Sequence, residues 1–180
     1  MINACSYDTP VGKLTVLATG LDADSNDRPV IVAAGFCPAT ELWERLPAGE
    51  QAELRSVDDL GPIHEPIERY LDGDVDALDE VEVAQKGTDL QQEVWDGLRA
   101  IPAGETRTYT ELADGTSKPK AVRAVGSACG RNLIAPFVPC HRALRSDGSL
   151  GGYYYGLHVK RWLLDHEAKA NQKPLQLLTD

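Results

Sequence analysis

The N-terminal part of the chain places apolar and polar residues in short alternating runs, which predicts β-strands joined by turns. Residues 13–18 and 29–34 are rich in β-branched and aliphatic side chains, and they flank the turn-forming segment 22–27. Apolar residues then recur at helical spacing in segments 41–46 and 64–71. The first half of the chain is therefore predicted to be a small mixed α/β unit.

A dense group of acidic side chains follows that unit. Residues 72–80 carry five carboxylates, but they lack the twelve-residue ligand spacing with a terminal glutamate of a calcium loop. We expect a solvated connector here. The sequence thus predicts two domains, residues 1–84 and residues 85–180.

The second domain is predicted to be mainly helical. Thr88 and Gln91 form a capping-box pattern at the start of a helix. An apolar stripe at helical spacing follows, made of Leu90, Val94, Trp95, Leu98 and Ile101. This helix should turn that stripe, Trp95 included, toward the core.

Two short helices with a tight turn between them are predicted next, and they form a helix-turn-helix. Thr108 and Glu111 cap the first helix. The second is predicted over residues 119–129, with Pro119 in its first turn and Gly130 at its end. Its small side chains suit close approach to another surface. The predicted fold class is α/β (α+β), a small N-terminal mixed α/β domain followed by a mainly helical C-terminal domain with a helix-turn-helix.

Composition limits the environment in which the protein works. The 180 residues contain no apolar stretch long enough to span a membrane, and the N-terminus lacks the basic and apolar regions of a signal peptide. A cytoplasmic protein is expected. The cysteines at positions 5, 37, 129 and 140 show no Cys-x-x-Cys spacing, which argues against a disulfide framework or a zinc ribbon.

The net charge of −10 is unevenly distributed. Residues 1–88 hold 6 basic and 18 acidic side chains, whereas residues 89–180 hold 12 basic and 10 acidic ones. Between Arg99 and Arg145 the local excess reaches +5. Such a segment suits a surface that faces phosphates, and the acidic remainder would limit indiscriminate binding. An ordinary solvated face is the alternative for any single one of these charges.

The tetrapeptide Pro139-Cys140-His141-Arg142 carries the most informative chemistry in the chain. A thiol near neutral pH is mostly protonated, so a nucleophilic cysteine needs a base or a positive field beside it, and His141 and Arg142 offer both. Neighbouring residues in an extended segment point to opposite sides, so His141 would reach Cys140 only across a turn or through a water. A buried structural cysteine is the alternative.

The motifs around this tetrapeptide resemble the O6-alkylguanine-DNA alkyltransferase family, which moves alkyl groups from damaged bases to a cysteine of the protein. The resemblance extends from about Leu90 to Glu167. It rests on Tyr109-Thr-Glu-Leu-Ala113, Pro119-Lys-Ala-Val-Arg-Ala-Val-Gly126, Asn132, the Cys140 motif, Gly151-Gly-Tyr153 and Trp162-Leu-Leu-Asp-His-Glu167. Before residue 89 only Thr9-Pro-Val-Gly-Lys-Leu14 resembles the family.

The resemblance implies DNA repair by direct damage reversal, without a cofactor. Cys140 would accept the alkyl group, mainly methyl, from O6-alkylguanine or O4-alkylthymine, and each molecule would react once. His141 would take the thiol proton through a water, Glu167 would orient the imidazole, and Asn132 would stabilise the turn that presents the cysteine.

It also implies a monomer that binds double-stranded DNA through the minor groove and extrudes the target nucleotide. Arg123 would intercalate and Tyr109 would press on the target's phosphate. Further DNA contacts are expected from Lys120, Ala121 and Arg131. The substrate pocket is expected to be lined by Tyr109, Val138, Ala143, Tyr153, Tyr154 and Tyr155.

Three residues depart from the family pattern. Leu133 replaces a proline, which predicts a looser hinge. Ala143 replaces a β-branched residue and leaves a roomier wall. Tyr155 replaces a glycine in the loop beside the pocket, where its ring would narrow the entrance or force a different backbone. An outward-facing aromatic ring is the alternative for Tyr155.

Two other functions and a metal site are alternatives to this interpretation. A damage-binding module that flips bases without reacting is disfavoured because Cys140 is present. A cysteine hydrolase would need an oxyanion pocket, for which no motif is visible. Some family members carry a structural zinc, for which Cys5, Cys37 and His64 are candidate ligands. We predict no metal, because a closed zinc site needs four ligands and these positions follow no pattern.

Overall fold

The structure is a computed structural model that describes residues 1–24 and 26–179, with side chains described as far as residue 170. Its N-terminal part contains a four-stranded sheet made of β1 (Ile2–Thr9), β2 (Gly12–Thr19), β3 (Val30–Gly35) and β4 (Leu54–Ser56). The strands lie in the order β3-β2-β1-β4, and β4 runs parallel to β1 while the other pairs are antiparallel. The sequence pattern predicted β2 and β3 but not β1 or β4. Most of β1 is buried on both faces, which removes the alternation that identifies a half-buried strand.

Both faces of this sheet are covered. Leu14 and Val16 of β2 belong to the main core, whereas Leu17 and Ala33 belong to a smaller cluster on the other face. Helix α1 (Ala39–Arg45) lies against β2 and β3 and contributes to the smaller cluster. Strands buried on both faces in this way form a rigid support for a segment that is hydrogen-bonded to the edge of the sheet.

The remaining helices are α2 (His64–Leu71), α3 (Asp89–Arg99), α4 (Tyr109–Asp114), α5 (Val122–Gly130) and α6 (Leu157–Thr179). The capping box at Thr88 is present, and so is the one at Thr108. Trp95 is buried, as its position in the stripe predicted, and its Nε1 donates a hydrogen bond to the carbonyl of Ala128 at 2.9 Å. This bond ties α3 to α5. None of the described helices is long and apolar enough to cross a bilayer.

The second helix of the predicted helix-turn-helix begins later than expected. It starts at Val122, not at residue 119. The backbone N–H of Ala121 donates to the carbonyl of Lys118 at 3.0 Å and closes a turn in which Pro119 occupies the second position. Proline favours that position of a turn because its φ is already fixed near the required value. Lys120 therefore precedes the helix.

The acidic segment 72–80 is not a fully solvated connector. Ala77–Glu80 form a 3-10 helix, in which Leu78 is buried. Arg69 of α2 is paired with Asp74 at 2.6 Å and with Glu80 at 2.9 Å. The carboxylates are thus partly neutralised by one guanidinium while the apolar residues between them enter the core.

The segment that leads to the motif cysteine is hydrogen-bonded to the edge of the sheet. Ala34 of β3 donates to the carbonyl of Leu133 at 2.8 Å and accepts from the N–H of Ala135 at 3.1 Å. The main core likewise combines side chains from both halves, for example Ile31 and Leu98. The division into domains at residues 84 and 85 stays a prediction.

Candidate active site

Cys140 begins a short 3-10 helix, Cys140–Arg142, and lines a cavity of about 290 Å³. This volume lies just below the usual range for ligand pockets, about 300–1,000 Å³. Burial raises the pKa of the Cys140 thiol, while the Asn132 side chain and the charge of Lys160 oppose the rise. The cavity is also lined by Tyr109, Gly126, Cys129, Gly130, Asn132, Ala135, Gly152, Tyr153, Tyr154 and Tyr155.

Asn132 holds the turn that presents the cysteine. Its Nδ2 donates to the carbonyl of Val138 at 2.7 Å, and its Oδ1 accepts from the N–H of Ile134 at 3.0 Å. Gln85, which the sequence analysis did not single out, donates from Nε2 to the same Oδ1 at 2.9 Å. The Oε1 of Gln85 accepts from the N–H of Leu133 at 3.0 Å. A proline at position 133 has no N–H to make that bond, so this departure from the family pattern adds a hydrogen bond, which opposes the looser hinge expected from the sequence.

His141 and Glu167 form a buried pair behind the cysteine. The side chains of both are almost fully buried, and His141 Nε2 lies 2.8 Å from Glu167 Oε1. Burial alone would raise the pKa of the Glu167 carboxyl, but His141 and Arg142 outweigh it and hold the pKa well below its usual range. Burial also lowers the pKa of His141, against the opposing effect of the carboxylate.

The hydrogen bond to Glu167 sets the tautomer of the neutral His141 ring. A carboxylate can only accept, so the neutral ring carries its proton on Nε2 and leaves a lone pair on Nδ1. Nδ1 is buried and has no hydrogen-bond partner among the described residues. His141 therefore offers a single free acceptor, the nitrogen that a general base requires.

Arg142 does not direct its charge at Cys140. Its Nε and Nη2 donate to the two oxygens of Glu167 at 3.0 and 2.9 Å, and Nη1 donates to the carbonyl of Ile101 at 2.6 Å. Tyr70 adds a further bond to Glu167 Oε1 at 3.0 Å. This two-pronged arginine contact fixes the carboxylate in place, and neither Arg142 nor Tyr70 was expected in that role.

Lys160 is a fully buried cation beside the site. Its Nζ donates to the carbonyls of Ala143 at 2.7 Å and Leu150, which ties together the two ends of the loop after the motif. Burial lowers the pKa of this amine, and nearby Cys140 opposes the shift. The sequence contained a signal for it, because Lys160 shares one face of α6 with the buried Leu163 and Glu167 at helical spacing.

Comparison with known proteins identifies the family to which this site belongs. Residues 89–169 match the family model described as 6-O-methylguanine DNA methyltransferase, DNA binding domain. A methylated-DNA–protein-cysteine methyltransferase of Mycobacterium bovis is 40% identical over 167 residues, which cover 93% of this chain and 93% of that protein. A protein of the same name from Haemophilus influenzae is 37% identical over 161 residues, 89% of this chain and 83% of its own.

This chain belongs to the methylated-DNA–protein-cysteine methyltransferase family.

A solved structure of a relative has the same fold as this chain. The crystal structure of Mycobacterium tuberculosis OGT in complex with DNA superposes with a TM-score of 0.73 at 33% sequence identity, covering 93% of this chain and 94% of that one. The sequence prediction of the fold class and of the family is thereby confirmed.

The residues expected to bind DNA in this methyltransferase family member lie on or beside α5. Lys120, Arg123 and Arg131 are exposed, and Ala121 is half-buried at the start of the helix. Tyr109 is half-buried and lines the cavity, where burial raises the pKa of its hydroxyl to about 12. The hydroxyl therefore stays protonated near neutral pH and can donate a hydrogen bond.

Two residues expected in the substrate pocket are placed elsewhere. Val138 and Ala143 are buried, and neither is among the side chains that line the cavity with Cys140. Val138 instead borders a separate cavity between β3 and α3. Ala143 belongs to the short strand β6 (Ala143–Leu144), which pairs with β5 (Arg107–Thr108).

The three tyrosines at 153–155 all line the cavity. The backbone strain considered for Tyr155 is not observed, because no described residue other than glycine has a positive φ. Left-handed positions in this loop are taken by glycines, among them Gly156, which directly follows Tyr155 and has a φ of 102°. Tyr155 therefore adopts an ordinary backbone conformation, and its effect on the pocket comes from its ring.

The candidate zinc ligands do not form a site. Among the described residues no group of at least three His, Cys, Asp or Glu side chains is arranged to hold a metal ion. Cys37 lies beside Tyr155 and Arg45, whereas His64 Nδ1 is 2.8 Å from the hydroxyl of Tyr7. The residues present do not fit the structural zinc of some relatives.

Proposed function

We propose that this protein repairs alkylated DNA by moving an alkyl group, mainly methyl, from O6-alkylguanine to Cys140. The single observation that carries the proposal is the position of Cys140 in a small cavity directly before a buried His141–Glu167 pair whose only free ring nitrogen is Nδ1. O4-alkylthymine is a second candidate substrate. The family membership supports the same activity.

The chemistry needs a base because burial favours the neutral thiol of Cys140. His141 Nδ1 accepts the thiol proton through a bridging water. The sulfur then bonds to the alkyl carbon as the bond between that carbon and guanine O6 breaks. The leaving guanine takes up a proton from Tyr109 or a neighbouring donor. A thioether remains on the protein, so each molecule reacts once.

The DNA-binding part of the proposal rests on α5. A base whose O6 atom is inside a duplex must be extruded before a protein can reach it. Small side chains on α5 permit close approach to the minor groove, and exposed Arg123 is long enough to fill the gap left by the base. We propose that the protein does this as a monomer, in the cytoplasm.

The proposed transfer is tested by the intact mass of the protein after mixing with a duplex that contains O6-methylguanine. We expect the mass of one methyl group to be added per chain, and peptide mapping should locate it on Cys140. A thioether on Cys5, Cys37 or Cys129, or several turnovers per molecule, would contradict the proposal.

Replacing Arg123 by alanine should slow repair of duplex DNA by roughly tenfold or more, because extrusion costs a few kcal/mol and 1.4 kcal/mol corresponds to a factor of ten. Reaction with the free base O6-methylguanine should change little, because a free base needs no extrusion. The measurement is the rate constant for each substrate, with Arg161→Ala as the control that removes an exposed arginine from α6. Equal losses on both substrates would show that Arg123 is structural.

A further inference from the structure

The tyrosines beside the cavity are fastened to the first helix of the chain. Tyr154 donates a hydrogen bond from its hydroxyl to Glu41 Oε1 at 2.9 Å, and the guanidinium of Arg45 lies 4.1 Å from the centre of the Tyr154 ring. Arg45 Nη1 also donates to the hydroxyl of Tyr155 at 3.3 Å. We call these four side chains, Glu41, Arg45, Tyr154 and Tyr155, the aromatic latch.

The ring of Tyr155 is held in a slot as well as by the latch. Its hydroxyl occupies the space that a side chain at position 35 would fill. A Cβ on Gly35 would lie 1.9 Å from that oxygen. Phe36 meets the ring edge-on at 5.9 Å between centres, and Tyr153 does the same at 5.8 Å. Edge-on contacts of this kind are favourable arrangements of aromatic rings.

The latch therefore connects the wall of the cavity to α1, about 110 residues earlier in the chain. Tyr154 and Tyr155 line the cavity that contains Cys140, whereas Glu41 and Arg45 belong to α1 and do not line it. A ring anchored at its hydroxyl end cannot swing away without breaking those contacts. The wall that faces the thiol is thus stiffened from outside the pocket.

We propose that the aromatic latch limits the size of the alkyl group that Cys140 can accept, with Arg45 as a positioning residue. This inference rests on the proposed alkyl transfer. An extruded guanine and its alkyl group must share the cavity of about 290 Å³ that Tyr154 and Tyr155 line. A benzyl group brings a much larger substituent against that wall than a methyl group does, and the latch contacts oppose any movement of Tyr155 that would admit it. Pocket contacts of this kind change relative rates by about 10- to 200-fold.

The test compares rate constants for O6-benzylguanine and O6-methylguanine placed in the same duplex. In Arg45→Ala the ratio of benzyl to methyl rates should rise by roughly tenfold over the wild type. The charge of Arg45 also opposes the rise that burial causes in the pKa of Cys140, so both absolute rates will shift together. The ratio removes that common effect, and general destabilisation would not raise it.

Matched variants separate the latch from charge and from folding. Arg45→Lys keeps the positive charge but loses the planar group that stacks on Tyr154 and reaches Tyr155, and it should raise the ratio in the same direction. Arg55→Ala, an exposed arginine on β4, should leave the ratio unchanged. Tyr155→Gly removes the ring itself and should raise the ratio at least as much as Arg45→Ala.

The outcomes are distinguishable. If the wild type transfers no methyl group, the proposed function is wrong. If methyl transfer occurs and Tyr155→Gly raises the ratio while both Arg45 variants leave it unchanged, the wall limits size without α1 and the latch proposal is overturned. If Tyr155→Gly also leaves the ratio unchanged, the ring does not restrict the pocket and the proposal is overturned as well.

Discussion

The Cys140→Ser protein should transfer no measurable alkyl group from O6-methylguanine. A serine hydroxyl in the same position is a far weaker nucleophile than a thiolate, and removing the nucleophile of a covalent mechanism costs a factor of about 10⁴ or more. The expected result is unmodified protein by intact mass after prolonged incubation with excess duplex. Binding to the duplex should persist, because Arg123 and its neighbours are unchanged.

The control for this prediction lies in the same cavity. Cys129 also lines it, but burial raises the pKa of the Cys129 thiol to about 12, and the residue directly after it is Gly130 rather than a histidine. Cys129→Ser should therefore retain transfer at a rate close to that of the wild type. If Cys140→Ser retained transfer and Cys129→Ser lost it, the nucleophile would be Cys129, and the proposed mechanism would be wrong.

Replacing Glu167 by glutamine should strongly destabilise the fold. Both oxygens of the carboxylate accept hydrogen bonds from Arg142, and one of them also accepts hydrogen bonds from His141 and Tyr70. All of these hydrogen bonds are buried. Removing its charge leaves the guanidinium of Arg142 buried without a counter-charge, which typically costs about 3–5 kcal/mol. The measurement is the free energy of unfolding in urea at neutral pH. Asp165→Asn, two residues away and exposed, should change it by less than about 0.5 kcal/mol.

The pH dependence of this difference has a predicted sign. The pKa of Glu167 in the folded state lies below its usual value of about 4.3. Its stabilising contribution is therefore fully present above about pH 4.3 and is lost as the pH falls through the lower folded-state pKa. The difference in unfolding free energy between the wild type and Glu167→Gln should be constant from pH 6 to 8, because these values lie above about pH 4.3. It should shrink as the solution is acidified. A gap that widens as the pH falls would contradict the assignment.

Local features were predictable because their causes are local. The helix from residue 89 follows from a capping box and an apolar stripe at helical spacing, both of which are contained within residues 88–101. The motif from Pro139 to Arg142 identified the candidate nucleophile in the same way, whereas Glu167 was expected only from the resemblance to the family. The start of α5 was misplaced because a proline suits both a helix's first turn and the second position of a turn.

The sequence by itself determined the family, the fold class and the identity of the candidate nucleophile, since each depends on residues close together in the chain or on an ordered set of motifs. The tertiary structure alone decided how that nucleophile is supported. Tyr70 reaches Glu167 across 97 residues, Arg45 reaches Tyr155 across 110, and Gln85 reaches Asn132 across 47. Contacts over such separations leave no periodic pattern, because their energy comes from burial and from hydrogen bonds formed only after the chain has closed on itself.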